Sequence, residues 1–184
     1  MGEVVKYRTI VADPPWPYRW TGDSTTPRAI QYPTMGLLEI AELPVRDLAE
    51  TEAHVYLWIT PEFNRRGEGS RIIQWWGFEY VGEIVWAKPG IGMGRFPRTS
   101  HEYLLIGRRG KLPFDSRNTH SVQHWKQPSR HSEKPDGAFD MIEQVSPGPY
   151  LELFARRQRL GWDTWGNECR CDVEMARPTE RSTP

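Results

Sequence analysis

The chain has 184 residues, enough for one domain with a real core, too many for a disulfide-dependent miniprotein and too few for two ordinary enzyme domains. Basic and acidic residues balance at 24 each, so net charge by itself carries no argument for nucleic acid. The start Met1-Gly2-Glu3-Val4-Val5-Lys6 lacks an apolar signal core, no stretch approaches the roughly 20 apolar residues of a membrane span, and the two cysteines, Cys169 and Cys171, form a lone C-x-C without the second ligand pair of a zinc site, so a soluble intracellular protein with reduced thiols, no metal and no membrane partner is expected.

Residues 8–12 read as a strand that runs into Asp13-Pro14-Pro15-Trp16. Consecutive prolines fix φ and hold the residues before them extended, so this turn cannot relax into a helix. The Asp13 carboxylate and the Pro14 carbonyl are then two acceptors at fixed angles. Two acceptors on the N–H bonds of an exocyclic amine, such as that of adenine, draw its nitrogen towards a tetrahedral form whose lone pair faces an activated methyl group. Trp16 adds a flat ring of the kind on which an unstacked base gains about 1–3 kcal/mol. A strand ending in a proline turn over a core tryptophan explains the same four residues, and the rest of the chain has to decide.

His54 to Ile59 is a second strand, rich in β-branched and aromatic residues, and Pro61 opens a helix reaching Trp76. Phe78 to Ala87 and Glu102 to Ile106 are two further apolar runs, separated by a long, basic, glycine-rich loop that carries Arg95 and Arg98. After a polar stretch from Lys111 to Glu133, Pro135 starts a helix whose Ala138, Met141, Ile142 and Val145 keep helical spacing, and Ser146-Pro147-Gly148-Pro149 ends it. Tyr150 to Ala155 is a last buried strand, Trp162 to Trp165 a short extended piece, and a disordered tail is expected over 173–184, beyond a single domain at 1–172. Strands alternating with helices imply a mostly parallel sheet with helices on both faces, whose ligands bind beyond the carboxyl ends of the strands, where Asp13 falls. No G-x-G-x-x-G or P-loop pattern occurs, so a cosubstrate without phosphates fits better than a dinucleotide or a nucleoside triphosphate. Arginine outnumbers lysine and gathers at Arg95, Arg98, Arg108 and Arg109 and again at Arg156, Arg157 and Arg159; a phosphate surface and a merely solvated one are equally good readings of that charge.

Further segments recur with the turn in a fixed order: Tyr32-Pro33-Thr34-Met35, Leu57-Trp58-Ile59-Thr60, Trp76-Gly77-Phe78, Ile84-Val85-Trp86-Ala87-Lys88, His131-Ser132-Glu133-Lys134-Pro135-Asp136, Met141-Ile142-Glu143, Leu151 to Arg156, and Gly161 to Glu168. In this order the chain resembles the MT-A type of adenine-N6 methyltransferases, the family of the catalytic subunit that methylates adenosine in messenger RNA, over roughly residues 8 to 168, and it looks like a small bacterial or phage member. The resemblance implies a Rossmann-like α/β fold dependent on S-adenosylmethionine, with the catalytic motif preceding the cosubstrate-binding strand. It implies that Asp13, Pro14, Pro15 and Trp16 hold the target adenine, that Lys134 contacts the methionine part of S-adenosylmethionine, and that Arg156, Asn167 and Glu168 lie near its ribose and adenine. A lysine just before a helix start, beside free backbone N–H groups, is independently a good carboxylate site. Residues 157–159, Arg-Gln-Arg, depart from the eukaryotic pattern, which leaves Arg157 and Arg159 without a role. Glu152 faces either the cosubstrate or solvent. Tyr32 is a base contact by resemblance, and Arg95 and Arg98 are expected on the nucleic-acid backbone. DNA is the expected substrate, in the cytoplasm of a bacterial or phage-infected cell, because a short catalytic core is typical of the family's bacterial and phage members. Adenosine in RNA is the alternative, as are a catalytically silent nucleic-acid-binding subunit and an amine methyltransferase acting on protein or a small molecule. A homodimer or a partner subunit remains open.

Overall fold

The structure is a computed structural model in which residues 5–17, 34–92, 96–116, 118–130 and 132–175 are described. Seven strands form one sheet: β1 Tyr7–Ala12, β2 Ala49–Ile59, β3 Glu79–Ala87, β4 His101–Arg109, β5 Val122–Gln123, β6 Tyr150–Leu153 and β7 Trp162–Trp165, in the order β5-β3-β4-β2-β1-β6-β7. β1 lies inside the sheet, parallel to both β2 and β6; β6 is parallel to β7 and β3 to β5. The sheet is thus mostly parallel, and β4 alone runs against its neighbours β2 and β3. That reversal puts the first residues of β4 at the edge where the other strands end.

The central strands are apolar on both sides, as expected where both faces are covered. Ile10, Ala12, Val55, Leu57, Ile59 and Leu105 turn to one face, against Ile40 and Ala41 of α1 Leu37–Ala41, Val45 and Leu48 of α2 Val45–Leu48, Phe63 of α3 Pro61–Arg65, and Ile72 and Ile73 of α4 Glu68–Trp75. Val11, Tyr56, Trp58 and Leu104 turn to the other, against Ala138, Phe139, Met141, Ile142 and Val145 of α5 Asp136–Val145. Trp58, Trp76 and Trp86 are each 1% exposed and belong to the core.

Several boundaries differ from the sequence expectation. The helix foreseen over 61–76 is two helices, because Gly67 takes φ +72, a left-handed value that breaks the run after Arg66 and caps α4. β2 begins at Ala49 rather than His54, and α1, α2 and β5 had no expectation, being five, four and two residues long, too short for periodicity to register. Val173 and Met175 pack against the first core cluster, so the chain stays attached to the core beyond residue 172; residues 176–184 lie outside the described ones. Among the described residues no helix is long and apolar enough to cross a membrane.

Candidate active site

One edge of the sheet gathers the chemistry. Asp13 leaves the end of β1, Thr60 the end of β2, Phe154 to Arg156 the end of β6, and Asn167 and Glu168 follow β7, while Glu102 enters with the reversed β4. Ser132 and Lys134 arrive from the segment before α5, and all of these, with Pro14, Pro15 and Trp16, line one cleft. The four residues of the turn and Lys134, Arg156, Asn167 and Glu168, dispersed over more than 150 positions, therefore share a single cavity.

Electrostatics at the cleft floor are organised by Lys134. Its Nζ donates to Asp13 Oδ2 at 2.8 Å and lies 3.4 Å from Glu102 Oε2, while the other oxygen of Glu102 pairs with Lys88. Trp58 lies beneath, with Lys134 Nζ 5.5 Å from its ring centroid. Burial holds the Asp13 carboxyl above the ordinary range; Lys134 pulls it down but divides its charge between two carboxylates, and Glu102 adds repulsion. Glu102 is also pushed up by burial, yet it faces both Lys134 and Lys88 and ends below the ordinary range. For Lys134 burial works against the charge, and its two carboxylates outweigh it, so the ammonium is strengthened. Sequence reasoning missed Glu102 as part of this site, because nothing local marks the first carboxylate of an antiparallel strand as the partner of a lysine 32 positions away.

The proline turn is fixed from several sides. Asp13 N–H donates to Leu153 O at 3.4 Å, and Met35 N–H to Pro15 O at 2.9 Å. Trp16 takes the core position that was one of its two readings: it is 4% exposed, stacked on Phe63 at 5.1 Å, and its Nε1 donates to Trp58 O at 3.0 Å. One face of the indole is taken and its donor is satisfied in the core, so the ring anchors the turn instead of standing open as a platform for a base.

Two cleft residues, Ser132 and Phe154, hold φ +65 without being glycine, the strained left-handed region that clusters at functional sites. On the β6–β7 side the backbone is tight: Ala155 N–H donates to Trp165 O at 3.0 Å, and a Cβ at Gly166 would collide with the Ala155 carbonyl oxygen. This close approach sets Asn167 and Glu168 against Arg156, whose Nη1 lies 3.6 Å from Glu168 Oε1. Glu152 lines an adjoining cavity with Arg157 and Arg159, not the protein surface, and burial pushes its carboxyl up to about 7 against the pull of Arg159. Arg157 and Arg159, left unassigned from the sequence, both pair with Asp136 at the first turn of α5, and Arg157 also with Glu133 at 3.3 Å. They tie the segment bearing Arg156 to the one bearing Lys134. These groups fit S-adenosylmethionine: a cation at the head of α5 for a carboxylate, a guanidinium, an amide and a carboxylate for hydroxyl groups, and carboxylates beside a sulfonium.

Arg98 is exposed, its Nε donating to Gly92 O at 2.8 Å, and it does not line the cleft. Tyr32, Arg95 and His131 lie outside the described residues. His101 packs edge-on against Tyr103 at 4.9 Å.

A proline-fixed acidic turn early in the chain, set beside the residues after β6 on the adjacent parallel strand, fits the class of α/β methyltransferases. A family model described as MT-A70 matches residues 7–168, and the chain belongs to this family of S-adenosylmethionine-dependent, adenine-N6 methyltransferases. It is 32% identical to the type II methyltransferase M.MunI of Mycoplasma, over 89% of this chain and 78% of that protein. It is 30% identical to the human N(6)-adenine-specific methyltransferase METTL4 over 91% of this chain, and 32% identical to a putative N(6)-adenosine-methyltransferase, MT-A70-like, of Medicago truncatula over 89%. The chain spans 39% of the human protein and 26% of the plant one.

Proposed function

We propose that this protein methylates the N6 amino group of adenine in DNA, with Asp13 and the Pro14 carbonyl as acceptors for the amine. The observation that carries this reading is the buried Asp13–Lys134 pair at 2.8 Å, standing between the acceptor turn and the residues after β6 and β7. S-adenosylmethionine, when bound, supplies an electrophilic methyl group on a sulfonium. The protein's own part is positional and electrostatic. Lys134 draws the Asp13 carboxyl back towards its ionised form against burial, the ionised carboxylate accepts one N–H of the amine, and the rigid proline turn keeps the second acceptor at its angle. Arg156, Asn167 and Glu168 hold the cosubstrate on the other side of β1. The proton lost after transfer can pass to water, so neither His101 nor either cysteine is required.

DNA is favoured by the type II methyltransferase relative, most of whose own length this chain spans, and RNA is the alternative suggested by relatives named adenosine methyltransferases. An intact acceptor turn, paired to a buried lysine, speaks against a silent subunit. The test is methyl transfer to matched DNA and RNA oligonucleotides with the product nucleosides identified. N6-methyldeoxyadenosine in DNA is expected; methylated adenosine from RNA alone would replace DNA by RNA, and methylation only of a protein acceptor would reject the reading. Asp13→Ala should lower transfer by about 10³-fold or more while leaving part of the cosubstrate affinity, and unchanged turnover would sink the assignment.

A further inference from the structure

Asp13 lies on the cleft floor with its side chain 20% exposed, and a base paired within a duplex presents its amino group deep in the stack, so the adenine has to leave the helix to reach it. The sheet order decides from which side. The residues that fit the cosubstrate follow β6 and β7, on one side of β1, so the base comes in over β2, β4 and β3 on the other. The described parts of the connection from β3 to β4, residues 88–92 and 96–100, stand on that side. Its foot belongs to the site, since Lys88 pairs with Glu102 and Glu102 with Lys134. Its stem is laced by Lys88 N–H to Ser100 O and Gly92 N–H to Thr99 O, both 2.7 Å, and by the Arg98 Nε bond to Gly92 O.

On this stem Phe96 is 99% exposed, and no other phenylalanine or tryptophan among the described residues is as open. A phenylalanine left wholly in water forgoes the gain of burying its ring, and a positive charge stands two residues away at Arg98. Proteins that distort a duplex insert apolar wedges of this kind between base steps, beside cations on the phosphates. We propose that Phe96 enters the base stack of duplex DNA where the target adenine leaves it, making the stem formed by residues 88–92 and 96–100 the part of the protein that holds the base outside the helix. The inference rests on the DNA reading above. Leu160, 100% exposed on the β6–β7 connection, stands on the cosubstrate side and serves as the control.

The experiment maps the adenine that the unaltered protein methylates in unmethylated DNA, then uses two duplexes of that sequence, one with the target adenine paired to thymine and one with it facing an abasic site. Phe96→Ala is expected to lower kcat/KM on the paired duplex about tenfold and to stay within about twofold of the unaltered protein on the abasic one, where no pairing holds the base. Phe96→Trp keeps activity on both, and Leu160→Ala leaves both unchanged. Equal loss on the two duplexes, with or without a change in oligomeric state, overturns the wedge in favour of a structural or subunit contact, and no loss on either overturns it outright. If the unaltered protein methylates no DNA, the DNA reading fails and the wedge with it, whereas an active protein indifferent to Phe96→Ala refutes the wedge alone.

Discussion

At the residue scale, the behaviour of Asp13 follows from how many charges share Lys134. Glu102 takes part of the lysine and repels Asp13, so its removal should strengthen the remaining pair and bring the Asp13 carboxyl down. If the ionised form of Asp13 is the one that accepts the amine, Glu102→Gln shifts the acid limb of the kcat/KM profile to lower pH; a limb that stays in place contradicts this coupling. Glu152 offers a stability counterpart. Its carboxyl rises to about 7 because of burial, so the fold favours the neutral acid: that contribution is full below the unfolded value of 4.5 and is lost as pH rises through about 7. Glu152→Gln should therefore melt about 2–4 °C above the unaltered protein at pH 8, the effect of ~1 kcal/mol in a chain of this length, with the gap closing below pH 4.5. Thermal melts of both proteins across that range decide it.

At the element scale, α5 is clamped to the sheet by a buried chain whose directions can be deduced. His54 is fully buried, its Nε2 3.1 Å from Leu112 O, which can only accept, so Nε2 carries the proton and Nδ1 accepts from Ser146 Oγ at 2.8 Å. Ser146 has then spent its proton, and the Tyr56 hydroxyl, 2.7 Å away, donates to it. Burial lowers the imidazole's affinity for a second proton, so this contribution is complete above the ordinary value of 6.5 and is lost as pH falls towards the depressed folded value. Because Glu152 trends the opposite way over the same window, the loss is read in the Glu152→Gln background, where His54→Gln should flatten the melting temperature between pH 5 and about 6.5. The other clamp is between the ends of β6 and β7. Gly166→Ala forces the backbone off Ala155 and displaces Asn167 and Glu168, and about tenfold or greater loss of S-adenosylmethionine affinity by calorimetry, with far-UV circular dichroism unchanged, is the expected result.

At the scale of the whole molecule, a chain with zero net charge has to meet a polyanion through local arrangement. The double variant Arg95→Gln with Arg98→Gln is expected to weaken DNA binding and to reduce the slope of log K against log salt by about 1.8, the share of two phosphate contacts. An unaltered slope would place neither residue on the backbone.

Much of the fold was legible because it is written in local chemistry. β1, α5, β6 and β7 announce themselves by apolar period, by Pro135 and by the Ser146-Pro147-Gly148-Pro149 stop, and the ordered motifs around them carry the MT-A70 resemblance. Gly67 was not legible as a helix break, since a glycine inside an apolar period costs only about 1 kcal/mol and becomes a stop only when its φ turns positive. The sequence left Trp16 between a core residue and an open platform, and the choice was made by Phe63 of α3 and the Trp58 carbonyl of β2, which reach it only in the folded chain. By itself the sequence determined the types and order of the groups that line the cleft: an acidic proline turn at a strand end, a lysine at a helix start, an Asn-Glu pair after the last strand. Only the tertiary structure decided their partners. Reversing β4 brings Glu102 to Lys134, and the pairing of β1 with β6 sets Asp13 beside Phe154 to Arg156, because such contacts act across space over a few ångströms and leave no period along the chain.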